Sequence, residues 1–291
     1  MKRIAEKIIL GTAQFGLEYG ITNPGGMLTE NTVEEILLTA HHNGVKMIDT
    51  APAYGLAQAR ISTICNKNSL SFRYISKIPP CAPSELRSIA LQTLEQLNTP
   101  NLDTLLLHDF QAYIQQPGLW DELLRLREEN ITRRIGFSLY RPTELEHILR
   151  NVFGCDVVQI PFNLFDQRFS FLIDDCQRRG IAIHARSVFL QGAFFLNPDN
   201  LPKFLQAGQR HFRQLHDYCR HHSVTISSLA LSYALSHPYI EGVVLGVHSA
   251  AQLRENCMAS VSAQNLNQFL EQLRQLPALD ETILNPSLWK Q

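Results

Sequence analysis

Eight short β-forming runs, each followed by a stretch of helical periodicity, set the tightest limit on how this chain folds. They are residues 7–11 (KIILG), 45–50 (VKMIDT), 73–78 (RYISKI), 102–108 (LDTLLLH), 133–139 (RRIGFSL), 156–160 (DVVQI), 181–185 (IAIHA) and 242–247 (GVVLGV). Most are nearly continuous in apolar residues, as parallel strands covered by helices are. The repeated alternation predicts an α/β fold of the (β/α)8 TIM-barrel type. A doubly wound sheet also alternates, but its dinucleotide-binding form carries G-x-G-x-x-G after an early strand. Gly11, Gly16, Gly20, Gly25 and Gly26 have the wrong spacing for that, and the stretch reads as a loop over a barrel mouth.

Local signals support the helices. Asn31 is placed to cap a helix with Glu34 at its third position and Val33, Ile36, Leu37 and Ala40 on one apolar face. Pro83 and Pro142 stand where a first-turn proline is tolerated. The seventh and eighth runs are separated by about twice the usual distance, which predicts an inserted loop or extra helix near residues 191–210; a helical tail closes the chain. No low-complexity linker divides residues 1–291, which read as a single domain.

Lys and Arg total 26 against 27 Asp and Glu, with no sustained basic stripe, so a nucleic-acid partner is not expected. The early apolar run Ile8-Ile9-Leu10 is too short for a signal peptide or a membrane span, and a soluble, cytoplasmic protein is expected. Six scattered cysteines read as free, mostly buried thiols. His41-His42 and His216 with His221-His222 lack the H-E-x-x-H grouping, so they read as solvated helix faces and no metal is expected.

In a barrel, reactive groups gather at the C-terminal ends of the strands. Asp49, Lys77, His108, Ser138 and Gln159 fall there, and Tyr54 follows five residues after Asp49. Singly, each has a plainer reading: a turn or cap aspartate, a solvated lysine, a structural histidine, rim groups satisfying backbone. Their joint placement at successive strand ends favours chemistry.

The pieces Gly11-Thr12-Ala13-Gln14-Phe15-Gly16, Asp49-Thr50-Ala51-x-x-Tyr54-Gly55, Ser76-Lys77, Leu107-His108, Gly136-x-Ser138, Gln159-x-x-x-Asn163 and Gln252-Leu253-x-Glu255-Asn256 occur in one order along the chain. In this the sequence resembles the aldo-keto reductases. The resemblance implies hydride transfer from NADPH, with NADH as the second choice, to the carbonyl of a small-molecule aldehyde or ketone, sugar-derived ones included. Tyr54 would donate the proton, Lys77 would stabilise its phenolate, Asp49 would hold Lys77 charged, and a neutral His108 would orient the carbonyl. At about 4 Å and an effective dielectric of about 20, the Lys77–phenolate attraction is about 4 kcal/mol before desolvation subtracts from it. Ser138, Gln159 and Asn163 would hold the nicotinamide carboxamide.

The chain also departs from the pattern. Arg186, followed by Ser187, stands where many members have a tyrosine stacked on the nicotinamide; stacking there, contact with the pyrophosphate and contact with an anionic substrate all stay open. For the adenosine end the resemblance points to Gly246, His248, Ser249, Gln252, Arg254, Glu255 and Asn256, with a helix starting near Ser249 that offers N–H groups to phosphate. Gly246 and Gln252 replace the usual cations, which weakens 2′-phosphate discrimination, and Leu139 replaces a common asparagine. Phe194-Phe195 and Phe204 either line a pocket or anchor the insertion. Two other functions fit the same residues: an aldolase-type barrel with Lys77 as Schiff-base nucleophile, and a nicotinamide-binding regulatory module with slow turnover.

Overall fold

A computed structural model describes residues 4–23, 25–259 and 261–289. The strands are β1 (Ile8–Gly11), β2 (Met47–Asp49), β3 (Arg73–Ile78), β4 (Leu102–Leu107), β5 (Thr132–Ser138), β6 (Val157–Pro161), β7 (Ala182–Arg186) and β8 (Ile240–Gly246), each overlapping one predicted run. They pair in parallel and in sequence order, and β8 closes on β1 through Ile8↔Val243 to Gly11↔Gly246. The result is the (β/α)8 barrel, with helices between strands on the outside.

Strand parity organises the interior, because successive side chains point to opposite faces. Leu10, Ile48, Leu105, Phe137, Val158 and Ile183 face outward into the large core shared with the helices. Ile9, Met47, Ile75, Leu106 and Val157 form a separate inner layer, with Ala182 and Val244 against it. Gly136 is required in that layer: a Cβ there would lie 1.7 Å from the Val157 carbonyl oxygen. Below it, charge fills the barrel base. Arg73 and Arg134 both bond Asp103, at 3.1 and 2.9 Å, and Arg134 also bonds Glu241 at 2.6 Å. The fully buried His184 reaches the same Glu241 oxygen at 3.2 Å.

Pro83 and Pro142 open the helices Pro83–Leu97 and Pro142–Asn151 as predicted. The Asn31 cap is corrected: the helix runs from Glu30 to Asn43, and the Thr29 hydroxyl accepts from the Thr32 N–H, two residues earlier. After β7 come three 3-10 turns, Leu190–Phe195, Pro198–Asn200 and Lys203–Gly208, then the helices Gln209–His222 and Ile226–Ser236. The predicted tail contains the helices Ala263–Leu273 and Glu281–Leu284. All six cysteines are free and four are buried. No helix among the described residues is long and apolar enough to cross a membrane.

Candidate active site

Two residues beyond the inner layer on seven strands, and four beyond Ala182 on β7, parity presents one more inward-facing position. In order these are Gly11, Asp49, Lys77, His108, Ser138, Gln159, Arg186 and Gly246, and all eight line a cavity of about 530 Å³ at the barrel mouth. Its size suits a small-molecule site.

Lys77 is 1% exposed and Asp49 2%, and they meet with Nζ to Oδ1 at 2.5 Å. Lys77 also donates to the Thr50 carbonyl and to the Tyr54 hydroxyl, both at 3.3 Å. Gln159 Nε2 donates to the other Asp49 oxygen at 2.8 Å, which fixes the carboxylate from the far side of the barrel. Burial opposes the Lys77 charge, but Asp49 and Tyr54 outweigh it and hold the ammonium above its ordinary pKa. Tyr54 sits on the turn Pro52–Tyr54, and Gly16 lets the loop after β1 close against it: a Cβ on Gly16 would meet the Tyr54 carbonyl oxygen at 2.0 Å.

The phenol departs from expectation. Burial raises its pKa by more than Lys77 lowers it, and Asp49 adds to the rise, so Tyr54 holds its proton firmly at neutral pH. His108 stands edge-on to it, ring centroids 6.2 Å apart. Burial first, and Lys77 second, lower the imidazole to about 4, so it is neutral at physiological pH.

The mouth continues as a trough between the segment after β7 and the elements flanking β8. Ser187, Gln191 and Gly192 line one side; Thr225, Ser227, His248, Gln252, Glu255 and Asn256 line the other. Helix Ile226–Ser236 begins here, capped by Thr225, and helix Ala250–Met258 begins close by, capped by Ser249. Hydroxyl and amide groups of Ser138 and Gln159 at the floor, with two helix N-termini at the side, form a polar set that could hold the carboxamide and the phosphates of a nicotinamide dinucleotide.

Three residues expected to contact the cofactor do not line the cavity. Asn163 is fully buried behind the floor, where its amide bonds the Ser187 carbonyl and its oxygen accepts from Phe165 and Asp166 N–H. It braces the loop after β6. The Ser249 hydroxyl accepts from the Gln252 N–H at 3.2 Å, capping the helix. Arg254 is exposed and donates to Thr39 at 3.4 Å, outside the trough lining. Of the three phenylalanines, Phe195 lines the cavity, Phe194 is buried against Phe165, and Phe204 stacks on Trp289.

Sequence reasoning missed Tyr19, Tyr140 and Thr225–Ser227. The last had a signal, since in a βα barrel the helix preceding a strand begins at the mouth. Arg186 stacks on Tyr140, with Cζ 4.1 Å from the ring centroid.

Comparison with known proteins agrees with this fold. The chain is 23% identical to a D-threo-aldose 1-dehydrogenase of Pseudomonas sp. over 84% of its own length and 89% of that protein's. It is 22% identical to an NADH-specific methylglyoxal reductase of Escherichia coli, over 83% and 85% of the two chains. The holo form of an aldo-keto reductase from Bacillus halodurans superposes with a TM-score of 0.74 at 18% identity, covering 92% and 91%. The model of the aldo/keto reductase family matches residues 7–276, nearly the whole chain, and the chain therefore belongs to that family.

Proposed function

We propose that this protein reduces an aldehyde or ketone to the alcohol with a nicotinamide cofactor, Tyr54 giving the proton. The carrying observation is the chain of contacts from Asp49 through Lys77 to the Tyr54 hydroxyl, with neutral His108 beside it. The cofactor, when bound, supplies hydride to the carbonyl carbon. Charge then grows on the carbonyl oxygen. His108 donates a hydrogen bond there and Tyr54 delivers its proton, while Lys77 stabilises the phenolate left behind. A raised phenol pKa suits a group that must still carry its proton when the reaction starts. Asp49 prevents the buried ammonium from losing its own.

A Schiff-base role for Lys77 is disfavoured by the same contacts, since an amine held protonated by a carboxylate at 2.5 Å is a poor nucleophile. Either nicotinamide cofactor suits the trough, whose described lining residues beside Glu255 include no Lys or Arg for a 2′-phosphate.

Oxidation of NADPH and of NADH, followed by absorbance over a panel of aldehydes, aldoses and ketones, tests the reading. Tyr54→Phe is expected to lower kcat by about a hundredfold or more while fluorescence titration shows cofactor affinity nearly unchanged. Normal turnover in that variant refutes the role of Tyr54. Tight cofactor binding without turnover of any panel member favours the regulatory alternative.

A further inference from the structure

Lys77 and Arg186 are the two permanent cations among the described residues lining the mouth, and they are held in opposite ways. Asp49 neutralises Lys77. Among the described residues Arg186 bonds only uncharged partners, Nη1 to the Ser187 hydroxyl at 3.1 Å and Nη2 to the Leu139 carbonyl at 2.8 Å, and its buried Nε has no partner there. Of the five N–H hydrogens of a guanidinium, most are therefore unused, and among the described residues the charge has no counter-ion. An unsaturated, partly buried cation is costly to keep unless a ligand completes it.

The direction in which Arg186 leans identifies that ligand. The carbonyl of Leu139 and the ring of Tyr140 belong to the segment after β5, next to β4 and His108. Arg186 thus crosses from β7 toward the reacting groups, away from the two helix N-termini beside β8 where phosphates of a dinucleotide would lie. Tyr140 occupies one face of the guanidinium, fixing it in place and removing that face from use against a nicotinamide.

We infer that the carbonyl substrate also carries a carboxylate or a phosphate, seated on Arg186 while the carbonyl faces Tyr54 and His108. This rests on the reductase reading above. Hydride and proton add across the C=O bond as before, and no bond to the anion changes.

Matched pairs of probes test it: 4-carboxybenzaldehyde against benzaldehyde, and glyceraldehyde 3-phosphate against glyceraldehyde. The anionic member of at least one pair is expected to show kcat/KM about ten- to a hundredfold higher, the effect of one charge-assisted hydrogen-bonded contact; which pair responds separates carboxylate from phosphate. Arg186→Gln collapses the ratio toward one through KM, and Arg186→Lys, which keeps charge without the planar fork, falls between. Equal efficiency within both pairs, or a ratio that survives in Arg186→Gln, overturns the proposal. So does an equally large rise in the NADH Kd of that variant, which would assign Arg186 to the cofactor. Calorimetric binding of benzoate and of inorganic phosphate to the enzyme saturated with NADH gives a readout without turnover. If neither the four aldehydes nor any member of the wider aldehyde, aldose and ketone panel is reduced, the reductase reading fails, and loss of anion binding in Arg186→Gln still decides whether this seat exists.

Discussion

Opposing effects at single residues set what each group does at neutral pH. Sequence alone brings Lys77 beside Tyr54 and points to a phenol made more acidic. Depth inside the mouth is invisible in the spacing, and burial wins there. At His108 both main influences act in one direction, since burial and the Lys77 charge each disfavour imidazolium. With its pKa lowered to about 4, His108 is neutral throughout the range where an ordinary histidine titrates. The pH profile of kcat/KM, which reports groups of the free enzyme, is therefore expected to show no histidine inflection between about pH 5 and 8. NMR titration of the imidazole should give a midpoint near 4 in the wild type. Because burial is the larger cause, Lys77→Met should relieve only the smaller part of the depression. An inflection near the ordinary histidine value that disappears in His108→Gln would overturn the neutral assignment.

At the scale of elements, the strands and the rim were legible for one reason: period-two parity decides both which residues are core and which side chain is last at the mouth. Once Ile75 is inner, Lys77 is inner; once Met47 is, Asp49 follows. Helix boundaries obey weaker rules. Asn31 and Thr29 can each cap, and either start keeps Val33, Ile36, Leu37 and Ala40 buried, so the apolar pattern could not choose between them. The structure distinguishes them by consequence. Thr29→Ala removes the acceptor for the Thr32 N–H and is expected to cost about 1 kcal/mol by urea denaturation, whereas Asn31→Ala, inside the exposed first turn, should stay within about 0.5 kcal/mol. A larger loss for Asn31→Ala would restore the original cap. Irregular segments were the least legible. Around Gln191 and Gly192, both at positive φ, neither period applies, so nothing in the spacing separated buried Phe194 from cavity-lining Phe195. Arg254 shows the same limit for a long side chain: a position near the trough does not set where its guanidinium goes.

Across the whole molecule the barrel is apolar in its middle layer and polar at both ends, but the two ends use charge differently. The mouth leaves Arg186 unpaired among the described residues, while the base closes on itself, with Arg73, Asp103, Arg134, Glu241 and His184 linking β3, β4, β5, β7 and β8. Such a network ties together the strand ends at the base, and its ion pairs make a pH-dependent stability the expectation. Glu241 carries the clearest signal: a hydrogen bond from His184 first, and then Arg134, lower its carboxyl from 4.5 to about 2. A carboxylate whose pKa is depressed by folding stabilises the fold fully above its unfolded value, and that contribution disappears as pH falls through its folded value. The window is thus from about 4.5 down to about 2. Glu241 is 47% exposed, so solvent and salt screen part of the effect. Comparing Tm for wild type and Glu241→Gln across pH isolates this group from the other carboxylates. The wild type should be the more stable at neutral pH, the gap should narrow below about pH 4.5 and close near pH 2, and added salt should shrink it. A gap that is independent of pH would mean that Glu241 holds the base by packing and not by charge.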